Sequence, residues 1–189
     1  LHTAYRRQRQ MCIRDSYNRT FFIGGNTYME IGRLYFVKEE YYDKYGQFGL
    51  LYNKENVDGR EHNRPCCYLF KYSESNIYWM IPLSTKVDKY EREFENSIKK
   101  YGICDNISFG YVLGKKCAFL LQNMFPVVEK YILNMYINPV TGKPVQVDGK
   151  LMKELNRKAR KKIRFNMNGK KLGMSDIVAI LNGIEKEAD

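Results

Sequence analysis

Two hydroxyl groups and an ammonium group follow one another at Ser84, Thr85 and Lys86. The preceding segment, Ile77 to Leu83, is apolar and aromatic, which is typical of a strand, and the residues after it have helical spacing. Hydrogen-bond donors placed where a strand leads into a helix can bind a phosphate group. The alternative is that Ser84 or Thr85 only caps the helix.

A β-hairpin and a helix must position these three residues. The first strand of the hairpin, Cys66 to Tyr72, precedes a polar turn at Ser73 to Asn76, and the second strand leads into Ser84. Apolar residues recur at helical spacing from Val87 to Tyr101, and Gly102 is suited to end that helix. The predicted order is therefore strand, turn, strand, a polar elbow at Ser84, Thr85 and Lys86, and helix.

Composition excludes several classes of site. The chain has 189 residues, of which 44% are hydrophobic, enough to form the core of one domain. Its five cysteines form no CxxC pair and its two histidines are far apart, so the sequence predicts neither a disulfide framework nor a metal site. It also has no glycine-rich nucleotide-binding motif and no apolar run long enough to cross a bilayer. We therefore expect a cytoplasmic protein that has no cofactor, including no nucleotide cofactor, and no membrane partner.

The charge favours an anionic partner. The formal net charge is +11, and the chain contains 16 tyrosines and 10 phenylalanines. Basic side chains bind phosphates and aromatic rings stack on bases, so this composition favours nucleic acid. The alternative is a solvated basic face that binds acidic proteins or nothing specific.

Residues 1–28 differ from the rest of the chain. They carry five arginines, one aspartate and no lysine, and have no clear periodicity. The string RQRQMCIRDS resembles translated sequencing-adapter sequence, so our hypothesis is that residues 1–28 are non-native and that residues 29–189 form a single domain. The alternative is a disordered basic arm that binds RNA.

The remaining patterns predict an α+β fold with a compact, curved antiparallel sheet or half-barrel of about five to seven strands and with inserted and C-terminal helices. The first part of the chain is predicted to form a strand at Glu30 to Val37, a helical turn at Glu39 to Tyr45, and a segment from Gly46 to Arg60 that is mostly loop with a brief strand at Phe48 to Tyr52. The other predicted elements are a second hairpin at Ile107 to Leu113 and Cys117 to Gln122, a strand after Pro126, and a short last helix from Ile177 to Leu181 that ends at Asn182 and Gly183.

The strongest helical pattern is Lys150 to Phe165. Leu151, Leu155, Ala159 and Ile163 form one apolar stripe, which we expect to pack on the sheet and leave the cations outward. The segment holds eight lysines and arginines against one glutamate, so its +7 charge equals the net charge left for residues 29–189. The predicted RNA-binding residues are Lys150, Lys153, Arg157, Lys158, Arg160, Lys161 and Arg164. A solvated helix face is the alternative.

Four segments follow one another along the chain: LYFVKEEYY, RP-strand-turn-strand-PLST, AFLLQNMFPV and KLMKELNRKARKKI. In this order they resemble the ToxN/AbiQ family, the endoribonuclease toxins of type III toxin–antitoxin systems. The resemblance covers most of residues 29–183. It implies a fold similar to the MazF/Kid toxins, RNA cleavage without a metal, growth arrest and abortive phage infection. It also implies two RNA partners, a target mRNA and a small antitoxin RNA whose pseudoknot repeats inhibit the toxin, and a higher-order protein–RNA assembly.

The resemblance also implies catalytic residues. They are Tyr41, Arg64, Ser84, Thr85 and Lys86, with Lys89 as the alternative to Lys86. Cations and hydroxyl donors can stabilise a phosphorane during attack by the 2′-hydroxyl, which leaves a 2′,3′-cyclic phosphate. His62, close in sequence, could be an acid or base, although a loop histidine is at least as common. Tyr41 could instead be one of many tyrosines that pack on the sheet.

The sequence therefore favours a metal-independent endoribonuclease toxin. The first alternative is a non-catalytic basic RNA-binding or phage-related interaction protein on the same sheet. The second is an unrelated basic structural protein.

Overall fold

The computed structural model describes residues 29–57, 60–71 and 76–188. The prediction that residues 1–28 are non-native lies outside the described residues, as does most of the turn that joins the central hairpin. The prediction that residues 29–189 form one domain stays a prediction.

The described residues contain nine strands and four α-helices. The strands are β1 (Leu34–Val37), β2 (Lys54–Val57), β3 (Arg60–Asn63), β4 (Cys66–Lys71), β5 (Ile77–Ser84), β6 (Ile107–Val112), β7 (Lys115–Leu120), β8 (Phe125–Val128) and β9 (Ile132–Met135). The α-helices are α1 (Glu39–Tyr45), α2 (Val87–Tyr101), α3 (Gly149–Met167) and α4 (Ile177–Ala188), and short 3₁₀ helices occur at Gly46–Phe48, Leu121–Asn123 and Glu129–Tyr131.

Seven of these strands form one antiparallel sheet. Its order is β6-β7-β5-β4-β1-β9, and β8 pairs with β5 beyond the end of β7. Strands β2 and β3 pair with each other in a separate hairpin. The predicted α+β class with an antiparallel sheet and helices is therefore confirmed.

Alternate residues of β7 pack on opposite faces of the sheet. Cys117 and Phe119 belong to a core cluster with the apolar side of α3, whereas Ala118 and Leu120 pack with Tyr90 of α2. Helices α1 and α4 contribute to a further cluster around Tyr68 and Met80 on the face opposite α3. Helix α3 therefore covers one face, and α1 and α2 lie on the other.

One predicted strand and the predicted end of one helix were wrong. No strand forms at Phe48 to Tyr52, because a 3₁₀ helix ends at Phe48, Gly49 turns the chain at φ +78°, and the next strand begins only at Lys54. The last helix does not end at Gly183. A Cβ atom there would lie 2.8 Å from the Tyr45 ring, so glycine allows α1 and α4 to pack closely, and this contact favours helix over the intrinsic preference of glycine.

The remaining predicted elements agree with the structure within a few residues, but the prediction did not include the β2–β3 hairpin or strand β9. Helix α2 ends at Gly102 in the left-handed conformation (φ +72°), and its N–H donates to Ile98 O. The second hairpin turns at Leu113 and Gly114, both with positive φ, as a tight two-residue turn requires. Within the described residues, no helix combines the length and apolar character needed to cross a membrane.

Candidate functional site at one edge of the sheet

Two strands end, and two helices begin, at one edge of the sheet. Strand β4 is antiparallel to both β1 and β5, so β1 and β5 run in the same direction. Tyr35 pairs with Cys66, which pairs with Pro82. Continuing both registers by two residues places Arg64 between Val37 and Ser84. The starts of α1 and α2 therefore flank Arg64.

Arg64 holds this edge together from a buried position. It is 6% exposed. Its guanidinium donates to Leu83 O through Nη1 (2.6 Å) and to Tyr52 O through Nε (3.1 Å). These bonds tie the segment before β2 to the end of β5. Arg64 is therefore placed to position the elbow rather than to face a substrate openly.

The Ser84–Thr85–Lys86 elbow separates into a buried and an exposed part. Ser84 is 2% exposed, and its Oγ accepts a hydrogen bond from Lys86 N at 3.2 Å. Thr85 O accepts from Val87 N at 2.8 Å, and the side chains of Thr85 and Lys86 are exposed. Lys86 is the residue that precedes the first turn of α2, where the amide dipoles favour an anion. The exposed hydroxyl and ammonium can therefore meet a phosphate at this end of the helix.

Lys89 and His62 lie on either side of this elbow in the chain. Lys89 lies in the first turn of α2, where its Nζ is 5.2 Å from the centre of the Tyr90 ring and 3.9 Å from Glu93. His62 is half-buried on β3, opposite Glu55. His62 is thus two residues from Arg64, whereas Lys89 is engaged along its own helix.

Tyr41 does not lie at the surface of this edge. It is 0% exposed among the Tyr42, Tyr45, Phe125 and Tyr131 rings, and its hydroxyl donates to Pro126 O at 2.5 Å. Burial, followed by the neighbouring Tyr45, raises the pKa of the Tyr41 phenol well above its usual value. This position does not fit proton transfer to RNA or stacking on a base, so the structure corrects the role expected of Tyr41.

Two residues that the sequence analysis missed belong to this edge. Asn53 is fully buried, its main-chain O accepts from Arg64 N at 2.7 Å, and its Nδ2 donates to the Glu39 carboxylate at 2.7 Å. Glu39 is exposed at the start of α1. Asn53 thus connects an exposed carboxylate to the main chain of Arg64. For Glu39, the available signal in the sequence was its proximity to Tyr41. Asn53 was missed because it lay in a segment predicted as loop.

The basic helix α3 has an exposed stripe and a buried one. Lys150, Lys153, Arg157, Arg160 and Arg164 are exposed at spacings of three and four residues, so they form one row along the helix. The Arg160 guanidinium also lies 4.1 Å from the centre of the Phe70 ring. Five of the seven predicted RNA-binding residues therefore form a continuous surface.

The prediction that all cations of this helix point outward was wrong. Lys158 and Lys162 are 6% and 4% exposed because they share the helix face of Leu155, Ala159 and Ile163, whose predicted burial is confirmed. Lys158 Nζ lies 2.9 Å from Ser108 Oγ and 2.7 Å from Glu154.

Lys162 Nζ donates to Asn106 Oδ1 at 2.7 Å, and burial lowers its pKa to about 8. Lys161 is partly buried and bonds to Asp105 at 2.5 Å. Lys158 and Lys162 therefore anchor α3 to β6 and the residues before it, instead of facing RNA.

The exposed stripe and the elbow belong to different faces. Helix α3 packs on the face that contains Leu83, whereas Ser84, the next residue of β5, points toward the face of α1 and α2. Within the described ranges, no three His, Cys, Asp or Glu side chains are grouped so that they could hold a metal ion. The molecule thus presents two separate candidate anion-binding surfaces.

Comparisons with known proteins find likeness in structure alone. The fold matches that of AbiQ, a lactococcal anti-phage endoribonuclease of a type III toxin–antitoxin system, with a TM-score of 0.59 and 12% identity over 82% of this chain and 97% of that one. A chain from a bacterial antiviral system that a processed non-coding RNA regulates matches with a TM-score of 0.55 and 12% identity, over 79% of this chain and 95% of that one. No protein-family model and no curated protein matches the sequence. The resemblance inferred from the sequence is thus confirmed at the level of the fold.

Proposed function

We propose that this protein is an endoribonuclease that cleaves RNA without a metal ion, through attack of the RNA's own 2′-hydroxyl. The observation that carries the proposal is the edge where Arg64 lies between the ends of β1 and β5, with Thr85 and Lys86 exposed above it. AbiQ, a protein with this fold, is an endoribonuclease.

In the proposed reaction, Lys86 and Thr85 contact the scissile phosphate. The Lys86 ammonium and the Thr85 hydroxyl donate to the non-bridging oxygens, where charge grows as the phosphorane forms. The first-turn amides of α2 add a favourable dipole at the same place. Arg64 and Ser84 act from beneath by fixing the elbow, since both are buried and bonded to its main chain.

The stripe of Lys150, Lys153, Arg157, Arg160 and Arg164 is the proposed second RNA-binding surface. Exposed cations bind phosphates without reading bases, so this stripe contributes affinity rather than specificity. It lies on the face away from the elbow, so it fits a partner RNA that wraps around the sheet. We propose a small antitoxin RNA as that partner and a protein–RNA assembly as the inhibited form.

The proposed biological role is that of a growth-arresting toxin of a type III system that limits phage infection from the cytoplasm. The support is the fold shared with an anti-phage endoribonuclease and with a chain from an antiviral system that a processed RNA regulates. Induced expression in a bacterial host should stop growth, and Lys86→Ala should restore it. Normal growth with soluble wild-type protein would contradict this role.

The separate basic stripe on α3 also favours a second candidate, a non-catalytic RNA-binding protein. Such a protein would bind RNA through the five exposed cations and leave it intact. Incubation of purified protein with total bacterial RNA distinguishes the two, because the endoribonuclease produces discrete new ends and the binding protein produces none.

A further inference from the structure

We propose that Glu39 is the general base that takes the proton from the attacking 2′-hydroxyl, an inference that rests on the proposed endoribonuclease function. The residue expected to transfer protons from this part of the chain, Tyr41, is enclosed in the core. Glu39 begins the same helix, but this residue is exposed, and its carboxylate accepts a hydrogen bond from Asn53 at the sheet edge.

The position of Glu39 follows from the strand registers. Glu39 follows Val37 by two residues, and the start of α2 lies on the other side of Arg64. Adjacent strands are about 4.8 Å apart, so the ends of β1 and β5 are roughly 10 Å apart. Glu39 follows one of these strand ends, Lys86 follows the other, and both residues are exposed. A single-stranded phosphodiester between them would have a cation on its phosphate and a carboxylate near its ribose.

The Glu39 carboxylate is held in place by a buried donor. Asn53 Nδ2 donates to Glu39 Oε2 at 2.7 Å, and Asn53 is itself fixed through its main-chain bond from Arg64 N. A carboxylate has about four lone-pair sites, so one bond to Asn53 leaves capacity to accept a proton. This resembles the arrangement that positions a base in hydrolases, in which a third group orients it.

A simpler interpretation is that Glu39 only complements the positive end of α1. Acidic residues in a first turn stabilise helices through the amide dipoles. Glu40 occupies the same turn and is also exposed, so it would serve that purpose equally. The bond from buried Asn53 distinguishes Glu39 and makes Glu40 a matched control.

The proposed step conserves atoms and charge. The 2′-hydroxyl proton moves to the Glu39 carboxylate while a bond forms between the 2′-oxygen and phosphorus. The bond from phosphorus to the 5′-oxygen breaks, and that oxygen takes a proton from solvent. The products are a 2′,3′-cyclic phosphate and a 5′-hydroxyl, and Glu39 returns its proton to water.

The test compares single-turnover cleavage by wild-type, Glu39→Gln and Glu40→Gln proteins. The probe is a synthetic RNA containing a site that the wild-type protein cuts in total bacterial RNA. Glu39→Gln should cleave about 10²–10⁴-fold more slowly, which is the usual contribution of a general base, and should bind the RNA at least as tightly. Glu40→Gln should cleave at the wild-type rate. The Gln side chain can still accept from Asn53, so the fold is retained.

One further readout separates catalysis from structure. Formate should restore part of the activity of Glu39→Ala by acting as an external base. Equal rates for Glu39→Gln and Glu40→Gln would overturn the inference about Glu39. Failure of the wild-type protein to cut any RNA would instead overturn the proposed function.

Discussion

The Arg64 guanidinium donates to the Leu83 carbonyl at 2.6 Å from between two strands that end at the same edge of the sheet. A second bond to Tyr52 O fixes the segment that carries Asn53. One buried cation therefore determines where the elbow, the segment before β2 and the carboxylate of Glu39 lie relative to one another.

Removal of that cation should destabilise the protein. Arg64→Met loses charged hydrogen bonds that are each worth about 1.5–3 kcal/mol and leaves two carbonyls without this donor. Urea denaturation should show a lower free energy of unfolding. Arg92→Met, at an exposed position on α2, is the matched control and should leave it unchanged. An Arg64→Met protein as stable as Arg92→Met would contradict this structural role of Arg64.

Tyr41→Phe separates a core tyrosine from a catalytic one. The substitution removes only the bond to Pro126 O, so it should cost about 1 kcal/mol of stability and leave the cleavage rate per folded molecule unchanged. The measurement is thermal unfolding together with RNA cleavage below the melting transition. A folded Tyr41→Phe protein that no longer cuts RNA would restore the catalytic role of Tyr41.

Glu187 should make stability depend on acidic pH. Its burial opposes ionisation, but bonds from Lys130, Lys44, Tyr45 and Tyr131 outweigh that effect and lower its pKa to about 2. The contribution of a carboxylate with a lowered pKa is complete above its unfolded value and is lost as pH falls. Stability should therefore fall between about pH 4.5 and 2, relative to Glu187→Gln. Parallel pH profiles for the two proteins would contradict this.

Lys162 should make stability depend on alkaline pH. Burial lowers its pKa to about 8, so below that value the folded protein bears the cost of a buried ammonium. The folded state releases this proton before the unfolded chain does, so stability should rise between about pH 8 and 10.5. Lys162→Met should lack this rise in a pH series of urea denaturation curves. The rise should persist in Lys153→Met, at an exposed position on the same helix.

The exposed stripe of α3 should govern RNA affinity. Reversal of Arg157 and Arg164 to Glu should weaken binding to all RNA sequences. It should also flatten the salt dependence by about 0.7 in the log–log slope for each lost contact with a single-strand phosphate. Filter binding at several salt concentrations measures both effects. The sites of cleavage should not change, because the elbow lies on the other face. Unchanged affinity and slope would identify the stripe as a solvated face.

The sequence was sufficient to predict the elements that depend on local pattern. The central hairpin, the elbow and α2 were predicted from alternation, turn residues and a terminal glycine. The predictions failed where contacts with residues distant in the sequence determine whether a side chain is buried. Tyr41 and Thr85 both follow strands, but only the packing of Tyr41 against Phe125 and Tyr131 shows that Tyr41 is enclosed. Lys158 and Lys162 are lysines in a basic run, and only polar partners near β6 explain their burial.

The partners of Glu39 could not be predicted for a related reason. Asn53 reaches Glu39 across 14 residues, and Arg64 reaches Leu83 across 19, so neither contact leaves a local pattern. The segment that contains Asn53 is rich in glycine and asparagine, which indicates loop but not which side chain is buried.

The most direct test of the proposed site is the cleavage of total bacterial RNA by purified wild-type, Lys86→Ala and Lys89→Ala proteins in EDTA, with analysis of the new ends. The wild-type protein should leave 2′,3′-cyclic phosphates. Lys86→Ala should lose cleavage while it retains most RNA affinity, and Lys89→Ala should cut normally. Undiminished cleavage by Lys86→Ala, or cleavage that requires added Mg²⁺, would contradict the account.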